Sequence, residues 1–328
     1  MSDGRIRVAV LYGGRSGEHE ISIRSAESVI AAMNPARYEI VRLFITPEGR
    51  WNPRPILPEP GANPGIDVVF PVLHGTFGED GAMQGLLELA GLPYVGAGVL
   101  GSAVAMDKDI GKRLCRERGL PVVECVVLTR GNLAIDAVER ELPYPVFVKP
   151  ANLGSSVGVS KARDRAELER AISLAAAYDR KIVVERAIVG REFECSVLGN
   201  EAPEAAVPCE ILPSRDFYDY EDKYLLDRAG AVVPADLPPE TTAEVRRLAV
   251  ACYRALECEG MARVDFLLEA ATGRLYINEL NTIPGFTSIS MYPKMWEAAG
   301  LPYSKLIDRL IGLALERHAV RESTKYSR

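Results

Sequence analysis

Short apolar segments alternate with helical patterns in the first third of the sequence, and this order limits the fold more than any other feature. Three apolar segments cover residues 6–11, 38–45 and 67–73. A helical pattern follows the first of them over residues 22–33, with Ser22 as its predicted N-cap. Strands that alternate with helices form βαβ units, so we predict an N-terminal α/β domain with a parallel sheet.

The rest of the chain is long enough for one or two further domains, because 328 residues exceed the size of a single typical core. A second unit begins near Asp107, the predicted cap of a short helix. Further strands are predicted at 145–149, 157–161, 181–187, 193–199, 262–269 and 274–281, and further helices at 240–258 and 304–316. The whole is therefore a mixed α/β chain.

Composition excludes several classes of protein. A hydrophobic fraction of 48% with 26% charged residues is typical of a globular domain and not of a disordered chain. The net charge of −6 argues against a broad nucleic-acid surface. No apolar run reaches the about 18 residues of a membrane helix. The six cysteines lack any CxxC spacing, so we interpret them as reduced thiols of a cytoplasmic protein.

Two segments near the C-terminus predict a hairpin with an oxygen-rich face. Alternate residues of a strand share one face, which pairs Arg263 with Asp265 and Glu279 with Asn281. A turn over 271–273 sets Asp265 opposite Glu279 and Arg263 opposite Asn281. Two carboxylates and an amide oxygen suit Mg²⁺ that also binds phosphate. A surface cluster of salt bridges is the alternative interpretation.

A Gly/Ser-rich loop follows Lys149 and contains Ser155 and Ser156. Such a loop between two strands can direct backbone N–H groups and hydroxyls at phosphates. The alternative is an ordinary hairpin turn. No GxxxxGK[ST] occurs in the chain, which excludes a P-loop NTPase. The glycine-rich turn after the first strand, GGRSG at 13–17, is not GxGxxG, which weakens a NAD-dependent oxidoreductase interpretation.

Three further segments are rich in candidate polar side chains. Glu185 ends an apolar strand, and Glu192 follows after a glycine; carboxylates there could bind ribose, although lone acids are usually solvated. The polar segment 217–224 contains three tyrosines. These side chains either pack on the protein surface or belong to a lid that excludes water from a bound substrate. Acidic residues at 18–20 precede a predicted helix, where they are favourable for electrostatic reasons alone.

In this order, the segments resemble the D-alanine–D-alanine ligases of the ATP-grasp superfamily. The resemblance covers residues 5–315 and is carried by these motifs: GGRSGEHEIS, LHGTFGEDGAMQG, MDK, KPANLGSSVGVSK, VERAIVGREFE, YDYEDKY, ARVDF and NELNTIPGFTSISMYP. It implies a three-domain ATP-grasp fold divided into an N-terminal domain (1–106), a central domain (107–190), a C-terminal domain (191–318) with a lid at 214–230, and a frayed tail (319–328). It also implies a cytoplasmic homodimer in peptidoglycan synthesis.

The resemblance assigns roles to individual residues. Those implied to bind ATP are Lys108, Lys149, Ser155, Ser156 and Lys223 at the phosphates, and Glu185, Ala187, Ile188 and Glu192 at adenosine. Those implied to bind two Mg²⁺ ions, or Mn²⁺ instead, are Asp265, Glu279 and Asn281. Those implied to close the lid over the first D-alanine are Glu20, Ser155 and Tyr224, with His74 nearby. Those implied at the oxyanion and the second D-alanine are Arg263, Gly285, Ser290 and Met291.

The implied reaction is ATP-dependent ligation of two D-alanine molecules through an acylphosphate. Because two anions must approach each other, metal and lysines would neutralise the charge. Tyr224 favours a dipeptide product over D-alanyl-D-lactate. The alternatives are a ligase that takes D-serine or D-lactate second, and a nucleotide-binding module without catalysis, against which the intact charged set argues.

Overall fold

The N-terminal strands form a sheet that is parallel at its centre, as the sequence predicts. The computed structural model describes residues 4–212 and 230–325. Its first sheet contains strands β1 (Ile6–Gly13), β2 (Tyr38–Ile45), β3 (Trp51–Asn52) and β4 (Val68–Pro71) in the order β3-β2-β1-β4. Strand β1 is parallel to both β2 and β4, and β3 is antiparallel to β2 at one edge. The apolar centre of β1 is fully buried, as expected for a parallel sheet covered on both faces.

Three helices accompany this sheet: α1 (His19–Ala32), α2 (Ala82–Leu89) and α3 (Val99–Met106). Helix α1 begins three residues earlier than predicted, so Ser22 is not its N-cap. The Ser22 hydroxyl is buried instead, where it accepts a hydrogen bond from the Gly13 N–H (2.8 Å) and donates one to the Val72 carbonyl. It therefore joins the helix to the end of the sheet.

The second sheet is antiparallel and contains β5 (Cys125–Thr129), β6 (Val146–Pro150), β7 (Ser160–Ala162) and β8 (Lys181–Arg186), in the order β5-β8-β6-β7. Its helices are α4 (Lys108–Glu117), α5 (Ile135–Glu141) and α6 (Arg165–Tyr178). Asp107 caps α4, as predicted, and Asp164 caps α6. The Asp107 cap fixes where α4 starts, and with it the position of Lys108.

The third sheet is also antiparallel and follows directly in sequence. It contains β9 (Gly190–Leu198), β10 (Glu204–Ala205), β11 (Cys209–Leu212), β12 (Gly230–Val232), β13 (Met261–Glu269) and β14 (Leu275–Asn281). Helix α7 (Pro239–Ala255) buries the apolar face that its sequence spacing predicts. None of the six cysteines forms a disulfide. The domain boundaries at 106 and 190 stay predictions.

The last two helices, α8 (Met291–Ala298) and α9 (Tyr303–Glu322), return the chain to the N-terminal sheet. Leu306 and Leu310 lie in the same buried cluster as Val8 and Phe70. Helix α9 does not end at residue 316 as predicted, and residues 319–322 are helical rather than frayed, because buried Arg317 donates to the Tyr94 carbonyl (2.9 Å) and holds the last turns in place.

Among the described residues, no helix combines the length and apolarity that crossing a membrane requires.

Candidate active site

Strands of the third sheet meet loops and helices that accompany the first two sheets around one cavity of about 220 Å³. The polar and glycine residues that line it are Glu18, Glu79, Lys108, Gly154, Ser155, Glu194, Gly230, Arg263, Glu279, Asn281, Thr282, Gly285, Thr287, Ser290 and Lys294. Met291 lines it as well. Eight of the predicted site residues are therefore brought together here: Lys108, Ser155, Arg263, Glu279, Asn281, Gly285, Ser290 and Met291.

The hairpin of β13 and β14 has the register that the sequence predicts. Asp265 pairs with Glu279 and Arg263 pairs with Asn281. Beyond this point the register shifts, so that Asn278 forms a β-bulge. The bulge lies directly beside Glu279 and redirects the side chain of Asn278 towards the central sheet, where it contacts Lys149.

Arg263 and Asp265 form a buried, bidentate ion pair. The Nε and Nη2 atoms of Arg263 donate to the two carboxylate oxygens of Asp265 at 2.6 and 2.7 Å. Glu194 lies 3.3 Å from the same guanidinium. Asp265 is only 3% exposed, so this pairing satisfies a charge that would otherwise be costly to bury. It also orients Arg263, which lines the cavity.

The donor set of the hairpin fits a divalent metal that is also bound by phosphate. Asp265 and Glu279 supply carboxylate oxygens, and Asn281 supplies an amide oxygen that accepts from the Ile283 N–H (2.9 Å). Within residues 4–212 and 230–325, no three His, Cys, Asp or Glu side chains cluster as a complete metal site. Two carboxylates and one amide leave most of an octahedral shell to other oxygens, as Mg²⁺ at phosphates prefers.

The Gly/Ser loop between β6 and β7 has an unusual backbone. Ser155 and Ser156 both have positive φ, at 52° and 58°, a region that non-glycine residues rarely adopt. Such strain persists where surrounding contacts maintain it, which is common at functional loops. Lys108 donates to the Leu153 carbonyl (2.6 Å), and the Ser155 hydroxyl donates to a carboxylate oxygen of Glu18. The first contact joins the loop to helix α4, and the second joins it to the segment that follows β1.

Glu18, and not Glu20, is the acidic residue that meets Ser155. Glu20 is exposed on helix α1 and does not line the cavity, so its predicted contact with Ser155 is wrong. Glu18 is 8% exposed and lies in the loop that follows the carboxyl end of β1. Loops at that end of a parallel sheet are the usual ligand-binding positions, and this rule could have singled out Glu18.

Glu79 is a second buried acid that the sequence interpretation missed. Its Oε1 accepts from the Gly75 N–H (2.8 Å), whereas its buried Oε2 has no hydrogen-bond partner among the described residues. Burial and the negative charge of Glu18 raise the pKa of Glu79 to about 8. At neutral pH the cavity therefore contains a protonated carboxyl group at Glu79.

Two lysines enclose Glu185 behind the cavity. Lys149 Nζ lies 2.8 Å from Oε2 of Glu185, and Lys112 Nζ lies 3.0 Å from Oε1. Burial alone would raise the pKa of Glu185, but the two ammonium groups lower it to about 2. Burial alone would lower the pKa of Lys149, but Glu185 and Glu279 hold it above its ordinary value. Glu185 and Lys149 are therefore both charged at neutral pH.

The residues implied at adenosine lie next to this ion cluster. Ala187 and Ile188 are half-buried in the segment that follows β8. The Ala187 N–H already donates to the Pro145 carbonyl (3.1 Å), which makes Ile188 the better candidate for reading a base edge. The charge of Glu192 contributes to the raised pKa of Lys149, so these two groups are neighbours.

His74 and Gly285 have different kinds of role. His74 lies outside the cavity lining, and its ring contacts the Ile283 carbonyl and Ser25 Oγ, each at 3.0 Å. Burial lowers the pKa of His74, so the ring is neutral at pH 7.

A side chain at Gly285 would displace the Ser290 hydroxyl, since a Cβ there would lie 2.7 Å from Ser290 Oγ. The predicted Lys223 and Tyr224 lie outside the described residues.

Comparison with known proteins decides the family. The model described as "D-ala D-ala ligase C-terminus" matches residues 114–312, and "D-ala D-ala ligase N-terminus" matches residues 7–64 and 57–97. The chain belongs to the D-alanine–D-alanine ligase family. The family and the mixed α/β, ATP-grasp class predicted from the sequence are thus confirmed.

Individual relatives agree with this assignment along the whole chain. A D-alanine–D-alanine ligase of Solibacter usitatus is 68% identical, with 99% of this chain and 100% of the relative covered. One from Caldicellulosiruptor bescii is 48% identical, with 99% of each covered. The solved D-alanine–D-alanine ligase of Coxiella burnetii has a TM-score of 0.86 at 39% identity, with 97% and 96% covered.

A solved VanG D-Ala:D-Ser ligase from Enterococcus faecalis also matches, with a TM-score of 0.86 at 36% identity over 94% of this chain and 99% of that one. The same fold thus serves relatives that differ in their second substrate.

Proposed function

We propose that this enzyme joins two D-alanine molecules into D-alanyl-D-alanine at the cost of one ATP, through a D-alanyl phosphate. One observation carries the proposal: a single cavity contains the groups that each step requires. Lys108 is a cation for phosphate, and Glu279 of the hairpin is a carboxylate for metal. Glu18 is an acidic group for an ammonium, and Arg263 and Gly285 lie on the same cavity. Family membership supports the same reaction.

ATP would lie against the central sheet. Lys108, Lys149 and the loop at Ser155 and Ser156 would neutralise its phosphates, with Lys223 as a further candidate outside the described residues. Glu185, Ile188 and Glu192 would hold adenosine. Asp265, Glu279 and Asn281 would hold divalent metal, two Mg²⁺ ions or Mn²⁺, which lowers the repulsion between phosphate and the attacking carboxylate.

The first D-alanine would bind with its ammonium at Glu18, whose carboxylate also accepts a hydrogen bond from the Ser155 hydroxyl. Its carboxylate then points towards the γ-phosphate. Protonated Glu79 adds no second negative charge, so it neither repels that carboxylate nor competes for the ammonium. In-line transfer depends mainly on positioning, which agrees with a site without an obvious covalent nucleophile.

The second D-alanine would attack the acylphosphate with its amine. A tetrahedral oxyanion then forms, and Arg263 with the Gly285 N–H would stabilise it. The ion pair with Asp265 keeps the guanidinium oriented before the charge develops, which lowers the reorganisation cost. Ser290 and Met291 would contact the second substrate, and the Thr287 N–H donates to Ser290 Oγ (2.9 Å).

D-serine or D-lactate as the second substrate is the alternative, because a D-Ala:D-Ser ligase shares the fold at 36% identity. The experiment is phosphate release from ATP with Mg²⁺ and a panel of D-alanine, L-alanine, D-serine and D-lactate, with product masses determined. D-alanine alone should support phosphate release and dipeptide formation. If it supports neither, the proposed reaction is refuted; a mixed product with D-serine or D-lactate at comparable kcat/KM would favour the alternative.

We further propose a cytoplasmic homodimer with domains 1–106, 107–190 and 191–318. Light scattering on a sizing column would give the mass of the assembly. A mass near 36 kDa at micromolar concentration would match the 35.8 kDa chain and contradict the dimer.

A further inference from the structure

Lys112 is a buried lysine for which no role is predicted from the sequence. It lies on helix α4, one turn after Lys108, and is 4% exposed. Its Nζ contacts Oε1 of Glu185 at 3.0 Å and donates to the Asn278 backbone carbonyl at 3.3 Å. Burying an ammonium is costly unless it is paired, so both contacts stabilise the position.

Lys149 makes the matching pair of contacts from the other side. Its Nζ contacts Oε2 of Glu185 at 2.8 Å and the Asn278 side-chain oxygen at 3.2 Å. Each oxygen of one carboxylate thus takes a different lysine, and so does each oxygen of one asparagine. The β-bulge at Asn278 makes this arrangement accessible, because a bulge residue has no cross-strand partner and can turn both groups towards the lysines.

We propose that Lys112 is a positioning residue of the nucleotide site, and this rests on the proposed function. By occupying Oε1 of Glu185, Lys112 confines Lys149 to the Oε2 side. Without Lys112, both oxygens of Glu185 are available to Lys149, which then neutralises Glu185 alone and turns away from an incoming phosphate. The substitution also removes one positive charge from this group of residues. Its three lysines (108, 112 and 149) outnumber its two glutamates (185 and 279), so the formal net charge falls from +1 to zero.

The test measures nucleotide affinity directly, by calorimetry with ADP and Mg²⁺. Loss of a buried hydrogen bond to a charged group predicts that Lys112→Met raises the Kd for ADP about 10- to 100-fold. The KM for D-alanine should stay within about twofold of wild type, since Lys112 does not line the main cavity. If Lys112→Met does not fold, Lys112→Gln, which keeps a donor for Asn278, carries the same test.

Two variants separate this role from loss of charge in general. Arg113→Met removes a positive charge from the exposed face of the same helix and should leave the Kd unchanged. Lys112→Arg should recover most of the affinity, because a small cavity bordered by Cys115 and Leu256 adjoins Lys112 and has space for a longer side chain. If Lys112→Arg binds as weakly as Lys112→Met, positioning by a cation at this place is refuted.

A double-mutant cycle with Glu185→Gln distinguishes positioning from a merely structural role. If Lys112 acts through Glu185, Lys112→Met should change the Kd by less than about twofold in the Glu185→Gln background. A merely structural role predicts that the effects of the two substitutions on the Kd are fully additive, and that result overturns the proposal. An unchanged Kd for Lys112→Met alone overturns it as well. Wild type that binds ADP but makes no dipeptide would refute the proposed reaction and leave the cycle interpretable.

Discussion

Replacement of Glu79 by glutamine should make the enzyme more stable than wild type at alkaline pH and not at acidic pH. The pKa of this side chain rises from 4.5 to about 8 on folding, which corresponds to about 5 kcal/mol for ionisation in the folded state. Because the folded pKa is the higher one, the stabilising contribution is complete below pH 4.5 and is lost as the pH rises through 8.

The expected size of the effect follows from the same two values. Between pH 6 and pH 9, the wild-type free energy of unfolding should fall by up to about 3 kcal/mol relative to that of Glu79→Gln. The glutamine keeps an oxygen for the Gly75 N–H and stays neutral throughout. Urea unfolding of both proteins at pH 6, 7, 8 and 9 measures the difference, with Glu20→Gln, an exposed site, as the control for charge.

A flat comparison would refute this reasoning. If the difference between wild type and Glu79→Gln changes by less than about 0.5 kcal/mol over this range, Glu79 is already ionised in the folded protein. The cavity would then contain a second negative charge in place of a neutral carboxyl group. Binding the carboxylate of the first D-alanine there would require a further cation.

Three further results are expected from steady-state kinetics. Glu279→Gln should lower kcat at least about 100-fold through weaker metal binding, and unchanged turnover with wild-type Mg²⁺ dependence would exclude Glu279 as a ligand. Glu18→Gln should lower kcat/KM for the first D-alanine about 10- to 100-fold, whereas the neighbouring Glu20→Gln should not; equal losses would contradict the corrected assignment. Gly285→Ala should disturb the second substrate through its 2.7 Å contact with Ser290 Oγ, and adding Ser290→Ala should recover part of kcat/KM; no recovery would argue against this contact as the cause.

The β13–β14 hairpin was the most predictable part of the site. Strand alternation and a short turn determine which side chains face each other, so the pairing of Asp265 with Glu279 could be read from the sequence. Strand alternation could not identify Glu18 or Glu79, because loop acids have no periodicity. The position after β1 favours Glu18, but only tertiary packing buries Glu79.

Lys112 and the end of α9 escaped prediction for a related reason. On its own helix, Lys112 is one of several cations, and its partners come from strands far away in sequence. Arg317 has an ordinary position on an amphipathic helix. It holds the end of that helix in place by donating hydrogen bonds to the backbone carbonyls of Tyr94 and Gly96, which are far away in sequence. Local patterns give element type and face, whereas contacts between distant segments decide burial and charge.

The buried cluster shared by β1 and α9 has a consequence for biosynthesis. Val8 and Val29 belong to the part of the chain that the ribosome makes first, and Leu306 and Leu310 to the part made last. The apolar side of the first sheet and helix α1 that faces α9 therefore cannot be covered until translation is nearly complete. During that interval it is exposed hydrophobic surface on a nascent chain, and a truncated product would retain that exposure permanently.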